Sequence, residues 1–482
     1  MRSRYFLMIF VLSLFLRIFL LDAESLWLDE GSSVRFANLK IDEIIKSTKT
    51  DANPPLYYII LHLWIKMFGD SEASVRFPSV IFGIITVIIL YKLCLKFWDE
   101  KVALISSLIA GISVFQVFYS QEARMYAMMC LLSVFSFFYF LEILENESIK
   151  HYIFYSLVNI LLLYTHLYSF FIIFAQLIFV AFYERAKLKN FILTLFVSFL
   201  FFTPRFLIVL NQVKEILLFG RFWLPKPDFV ELMKTLIQFA GATYPMPRDE
   251  SGNVILNRFI IEYLSPAILL LVMLAMVVFS IFGFKKFSAE KRKTYIILWL
   301  WFIIPILTPF ILSQFLTPFY FTRYVIASSI PFYCLVSIGV ESCDDIRLKR
   351  YIFGIILFLS VVNLAWYYGK TNKEEWREAV KFIEERAGER DLIIANKYVF
   401  YYYSTRKDVE KVQLQDIFLQ NEHKLIGKLR QLSQKYERIW YVSSHEPELE
   451  EIIFKNLSNL MYFSMRKKFL GIEIFLFEKV KG

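Results

Sequence analysis

The chain has 482 residues, 57% of them hydrophobic and 20% charged, with a formal net charge of +10. Soluble domains sit at roughly 45–50% apolar, so a single soluble globule is excluded. The positive balance does not call for nucleic acid, because membrane proteins collect Lys and Arg in their cytoplasmic loops.

The apolar excess falls in runs of about 17–25 residues, the length that crosses roughly 30 Å of hydrocarbon. The first run, 5–21, follows Arg2 and Arg4. It is long for a signal-peptide core, and "LDAESLWL" after it makes a poor cleavage site, so it reads as a retained first span. Next comes "LWLDEG" (Leu26–Gly31), where Asp29 and Glu30 stand side by side. "PPLYYIILHLWIKMFG" (Pro54–Gly69) is short for a span and is expected as an amphipathic helix in the outer interface. Further spans are expected at 76–97, 102–119, 124–142, 152–168, 169–184, 190–208, 259–284, 295–312, 323–340 and 351–368, roughly eleven crossings in all. With the N-terminus in the cytoplasm, every basic cluster falls on the cytoplasmic side, from Arg2/Arg4 to Arg347/Lys349/Arg350. That leaves long outer loops at about 22–75 and 209–258.

Beyond 370 the composition changes. Charged helical stretches alternate with the strand-like runs "LIIAN", "IWYVSS" and "IEIFLFEKV". The expected fold is thus a polytopic α-helical membrane domain (1–369) and a small C-terminal extracytoplasmic α/β domain (370–482). The expected location is the cell (inner) membrane. All four cysteines, Cys94, Cys130, Cys334 and Cys343, lie in or beside apolar segments, so neither structural disulfides nor a thiolate metal site are expected.

Chemistry is sought where ionisable groups meet the outer membrane boundary, since placing them near lipid is costly. Asp29 and Glu30 form one such set. "DANPPLYY" supplies Asp51 and paired prolines that fix a helix entry. "YSQEARMYA" places Glu122 and Arg124 in a very short turn, and "LLLYTHLYSFF" places His166 in an apolar stretch. "PFYFTRYVIAS" opens a span with Arg323 and Tyr324. Each set alone reads equally as a solvated loop, an interfacial anchor or a hydrogen-bonded bundle residue. Together they give two arginines suited to a phosphate and carboxylates suited to taking a proton from a hydroxyl. The inference is transfer from a lipid-phosphate carrier to an acceptor outside the cytoplasm.

In order along the chain, "LWLDEGSSVRFA", "NPPLYYIILHLWIKMFGDSEASVRFPSVIFG", "SQEARMYAM", "YTHLYSFF", "FWLPKP" and "TRYVIASSIPF" resemble the polyprenyl-phosphate-dependent glycosyltransferases of family 39, built on the GT-C fold. That family includes the protein O-mannosyltransferases and the aminoarabinose transferase of lipid A. The likeness covers about residues 1–340, and the tail from "EEWREAVKFIEERAGERDLIIAN" is similar to the extracytoplasmic domain of some members. The resemblance implies a hexosyl- or pentosyltransferase with a sugar donor on undecaprenyl or dolichyl phosphate, and an inverting displacement. It implies Asp29 as general base, with Glu30 positioning it or the acceptor. Arg124 would hold the donor phosphate, Glu122 would orient that arginine, and Arg323 and Tyr324 would add contacts to phosphate or sugar. His166 joins the donor-binding set without an assigned role.

The protein mannosyltransferases carry a large inserted β-trefoil domain, and nothing of that size or pattern lies between these spans. The acceptor therefore stays open among lipid, glycan and protein. No spaced His/Asp cluster calls for a metal site, and no cofactor is implied with certainty; a divalent cation stays open as an assistant. The competing reading is a transporter or flippase of lipid-linked saccharides, which would favour paired halves and broken helices near the midplane.

Overall fold

The computed structural model describes residues 2–219, 224–242 and 260–479. The chain divides into two compact units. The first comprises Met1–Leu21 and Leu39–Lys370, the second Asp22–Asn38 and Thr371–Gly482. In place of a single N-terminal domain over 1–369, the expected first loop is split, and its acidic start belongs with the C-terminal residues.

The first unit is helical. Among the described residues, seven helices are long and apolar enough to cross a membrane, and eight if one bent pair is a single span. This is a multi-pass membrane protein. Three more of the expected spans are shorter helices: Arg2–Ile18 with 17 residues, and Ile149–Leu163 and Ser169–Tyr183 with 15 each. Lipid-facing surface is evident on helix Leu188–Phe219, where Leu193, Phe196, Leu200 and Phe201 are exposed. Helices approach closely where a side chain is missing. A Cβ on Gly339 would fall 1.8 Å from the Met276 carbonyl oxygen, so helix Ser329–Ser342 packs backbone to backbone on Ser265–Gly283.

Three expected elements differ in ways that matter for the site. The expected span 102–119 breaks at Ser113 into Glu100–Ile112 and Val114–Ser120, bent by 59°. Span 152–168 stops at Leu163, so His166 sits in a turn between helices. Span 323–340 begins as a tight 3₁₀ stretch, Thr322–Ser328, before the α-helix from Ser329. In the expected loop 209–258, the preceding helix continues to Phe219 and a second helix covers Phe229–Phe239. "TYPMPRDESGN" and the Phe222–Trp223 part of "FWLPKP" lie outside the described residues.

The second unit is built on a five-stranded sheet. Strands β1 (Asp391–Ala395), β2 (Glu410–Val412), β3 (Arg438–Ser443), β4 (Tyr462–Phe469) and β5 (Ile472–Glu478) stand in the order β2-β1-β3-β5-β4. β1 pairs in parallel with β2 and β3, while β5 runs antiparallel to β3 and β4. β1 and β3 are central and almost wholly buried, as their unbroken apolar runs require. β4 is an exposed edge carrying Arg466, Lys467 and Lys468, charges that discourage further strand pairing. Helix Trp376–Glu384 buries Trp376, Ala379, Val380 and Ile383, one stripe at helical spacing. Helices Glu422–Lys435 and Pro447–Leu460 bury Leu425, Leu429 and Leu432, and Leu449, Ile453 and Leu457, in one core with β1, β3 and β5.

Candidate functional site

In the membrane unit, four of the quoted motifs converge on one turn. The bent helix pair ends at Ser120, and the chain turns through Gln121–Met125 before helix Tyr126–Glu145 begins. Within this turn the Arg124 amide donates to the Glu122 carbonyl at 2.8 Å, and both side chains are buried. The Ser79 hydroxyl donates to the Arg124 carbonyl at 3.2 Å and also meets the Tyr57 hydroxyl at 3.2 Å. Tyr57 belongs to the "PPLYY" helix, whose first amide, Leu56, donates to the Tyr164 carbonyl at 3.3 Å. Tyr164 opens the turn that carries His166. Prolines 54 and 55 make this junction possible, because a helix start tolerates the missing N–H donors.

The side chains meet around Tyr126, which is fully buried. Arg124 lies 5.9 Å and Arg323 5.7 Å from the centre of its ring. Tyr126 packs on His166 at 6.1 Å and Tyr324 at 6.3 Å, and His166 on Tyr324 at 4.9 Å. Tyr168 closes the group, 5.5 Å from His166 and 5.3 Å from Tyr324. Its hydroxyl donates to the Phe319 carbonyl at 2.6 Å, tying the His166 turn to the segment leading into Arg323. The Tyr168 amide donates to Nδ1 of His166 at 3.2 Å, so a neutral ring carries its proton on Nε2. The charges of Arg124 and Arg323 both act on this buried ring. A proton on Nδ1 would lose that hydrogen bond and add a third positive charge.

Arg124, His166, Arg323 and Tyr324 thus gather around Tyr126, with Glu122 in the same turn as Arg124. A guanidinium near an aromatic ring gains about 0.5–1 kcal/mol when exposed and about 2 kcal/mol when desolvated. That orients the two cations, and the N–H fork of a guanidinium suits an oxyanion.

Asp29 and Glu30 lie in the second unit, in the first turn of helix Leu28–Ala37, where acids favour the helix dipole. Glu30 is fully committed. Its Oε1 accepts from Lys373 at 3.1 Å, both side chains being buried, and its Oε2 accepts from the Trp27 amide at 3.4 Å. A carboxylate so held is an anchor, whereas Asp29, the preceding residue, is only half-buried. The start of the helix is held by other residues of the second unit. The Leu26 amide donates to the Tyr403 hydroxyl at 2.7 Å, and the Leu28 amide to Oε2 of Glu374 at 3.1 Å. Ser25 donates to the Glu374 carbonyl at 2.5 Å and accepts from the Trp376 amide at 3.0 Å. At Gly31 a Cβ would sit 2.1 Å from Cγ2 of Val399, so only glycine lets this helix meet Tyr398–Tyr403.

Among the described residues, no group of three or more His, Cys, Asp or Glu side chains could hold a metal ion.

Residues 52–208 match the family model described as dolichyl-phosphate-mannose-protein mannosyltransferase. ArnT from Cupriavidus metallidurans, bound to undecaprenyl phosphate, superposes with a TM-score of 0.62 at 9% identity, over 98% of this chain and 97% of that one. The oligosaccharyltransferase of Archaeoglobus fulgidus in the apo form gives 0.57 at 12% identity, over 92% and 69%. Its form tethered to an acceptor peptide containing the NVT sequon gives 0.55 at 13%, over 92% and 69%. The chain has the GT-C glycosyltransferase fold. No curated protein matches it in sequence.

On this GT-C scaffold, sequence reasoning missed the residues that hold the Glu122–Arg124 turn. Arg17, buried in the first span, donates to Ser120 Oγ at 3.1 Å, and to the carbonyls of Gly111 at 2.9 Å and Ala110 at 3.3 Å. Those carbonyls end the helix broken at Ser113, so the arginine satisfies groups the break leaves over. Gln121 donates to the carbonyls of Arg17 at 3.2 Å and Phe19 at 2.8 Å, and accepts from the Tyr367 hydroxyl at 2.8 Å. Arg205 ties the loop before Pro54, donating to the Thr48 carbonyl at 2.6 Å and the Asp51 carbonyl at 3.0 Å. Arg17 had a signal: an arginine inside an apolar run is rarely idle.

Proposed function

We propose that the chain transfers a sugar from a polyprenyl-phosphate donor to an acceptor on the outer face of the membrane. The observation that carries the reading is the pairing of Arg124 and Arg323 across the buried Tyr126 ring, with Glu122 in the same turn. Two guanidiniums beside one buried aromatic ring suit a lipid-linked phosphodiester. They suit still better the phosphate monoester that leaves, whose charge rises as the bond breaks. The ArnT structure bound to undecaprenyl phosphate supports a carrier of this class.

In the proposed reaction, the acceptor nucleophile attacks C1 of the sugar opposite the phosphate. The C1–O bond to phosphate breaks and its electron pair leaves on the phosphate oxygen. The proton of the nucleophile passes to the Asp29 carboxylate. The products are the inverted glycoside and polyprenyl phosphate. Arg124 and Arg323 hold the phosphate, Glu122 orients Arg124, and Tyr324 and His166 line the sugar–phosphate junction. Nε2–H of a neutral His166 is a donor suited to that junction. Glu30 keeps the Asp29 helix in place through Lys373. The acceptor is a lipid, glycan or protein.

The test compares mass spectra of envelope lipids, glycans and proteins from cells with and without the chain, and with Asp29→Asn. A hexose, pentose or amino sugar missing from one class in both mutants is expected. Identical spectra in all three strains would contradict the reading.

A further inference from the structure

Glu374 uses its two carboxylate oxygens in different directions. Oε2 accepts from the Leu28 amide at 3.1 Å and from the Trp376 indole at 2.6 Å. Oε1 meets Nε2 of His445 at 2.5 Å. The Leu28 amide is one of the donors that a helix start leaves without a backbone partner, and Leu28 directly precedes Asp29. Glu374 is therefore the cap of the helix that carries the acid. The carboxylate is well packed, its side chain 10% exposed, while the His445 side chain is 55% exposed. A Cβ on Gly471, itself at φ +74, would come within 2.7 Å of Cγ of Glu374, so the turn after β4 closes against it. His445 takes φ +56, a backbone conformation that few residues with a Cβ adopt. Such outliers persist where the surroundings over-determine them, and they gather at sites with work to do.

We propose that Glu374 and His445 are positioning residues for the transfer reaction: Glu374 caps the helix bearing Asp29, and His445 holds Glu374 in register. This rests on reading Asp29 as the general base. Neither residue touches substrate in this account. Glu374 acts through the Leu28 amide, and His445 acts through Glu374. The C-terminal domain thereby becomes part of the catalytic apparatus, since Glu374 and His445 both belong to it.

The pair carries a pH dependence. The groups that bear on His445 are Glu374, Lys397 and Asp29, with Glu446 beside Lys397 at 3.4 Å. The hydrogen bond to Glu374 raises the imidazole above its ordinary range, burial and, less, Lys397 oppose that, and the charges of Glu374 and Asp29 add to it. A raised value means the charged pair is present at lower pH and is lost as pH rises through the folded value. Above it, the bond from a neutral ring is weaker than the charge-assisted one.

The test follows amide exchange across residues 26–31 in the full chain in lipid nanodiscs, from pH 6 to 9, each rate taken relative to the intrinsic rate at that pH, beside turnover of a polyprenyl-phosphate sugar. In Glu374→Ala, exchange is expected to quicken roughly tenfold, and kcat to fall while KM for the donor holds. In His445→Ala a smaller, severalfold rise is expected. His445→Gln keeps a donor that does not titrate, so it should restore most protection and abolish the pH dependence. Exchange in this segment equal to wild type in Glu374→Ala and His445→Ala would overturn the proposal, as would a pH dependence that survives His445→Gln. The exchange readout needs no turnover. If exchange responds but Asp29→Asn still transfers sugar, the base assignment fails and the positioning stands. If Asp29→Asn is inactive and exchange is unmoved, the positioning alone fails.

Discussion

The two units set their functional charges among different neighbours. In the second unit acids close on named partners: Glu30 on Lys373 and the Trp27 amide, Glu374 on His445, Trp376 and the Leu28 amide. In the membrane unit Arg124 and Arg323 are set against the ring of Tyr126, and Arg323 also against Phe321 at 4.8 Å. Ring contacts steer a guanidinium by electrostatics, whereas its N–H fork is what recognises an oxyanion. The closed network is what a rigid scaffold for one acid needs. The aromatic setting is what a site for a charged ligand needs.

The comparison breaks most visibly at Asp29. Asp29→Asn should lower turnover by about 10²–10⁴-fold, the span a general base supplies, with donor affinity unchanged. Single-turnover transfer with a polyprenyl-phosphate sugar would measure it, and normal turnover would remove Asp29 from the chemistry. Lys373→Met comes next. It strips the partner from a buried Glu30 and should cost about 3–5 kcal/mol, read in chemical denaturation of the second unit. A double change, Glu30→Gln with Lys373→Met, should recover most of that loss, because no lone charge remains.

Smaller effects sharpen the membrane half. Arg17→Lys keeps the charge but cannot reach Ser120, Gly111 and Ala110 together, since an ammonium is a compact point charge. It should weaken donor binding by roughly tenfold through the Glu122–Arg124 turn, about one lost charged hydrogen bond's worth. Tyr126→Phe keeps the ring face and should change donor affinity less than about threefold, while Tyr126→Leu should cost more, about one cation–π contact. Equal losses in the two Tyr126 variants would mean that the hydroxyl, not the ring, matters.

What the sequence disclosed follows from what is expensive near lipid. Arg124 and Arg323 were visible because ionisable groups beside apolar runs need a reason, and they lie 5.9 and 5.7 Å from the centre of the Tyr126 ring. Strands β1, β3 and β5 were legible as short apolar runs between charged helical stretches. The strap on the turn was not, because Gln121, Ser79 and Ser120 look unremarkable in apolar helices. Their partners also lie far along the chain, as Arg17 does from Ser120. The break at Ser113 has no proline to announce it, only Gly111 two residues earlier in an apolar run. Nor does composition shift at Asn38, where the chain passes between units, because Leu28–Ala37 is short and mixed. Its allegiance to the C-terminal residues comes from Glu374, Lys373 and Tyr403, more than 340 residues away, which no local pattern encodes.

A phosphate site made by Arg124 and Arg323 around Tyr126 must distinguish a lipid phosphate from the neutral lipid. Equilibrium binding of undecaprenyl phosphate and of neutral undecaprenol to the chain in nanodiscs tests it most directly. Wild type should prefer the phosphate by about 10–100-fold, and Arg124→Ala and Arg323→Ala should each forfeit roughly a tenfold or greater share while undecaprenol binding stays level. Equal affinity of wild type for the two lipids, or an unchanged preference in both arginine variants, would contradict the account.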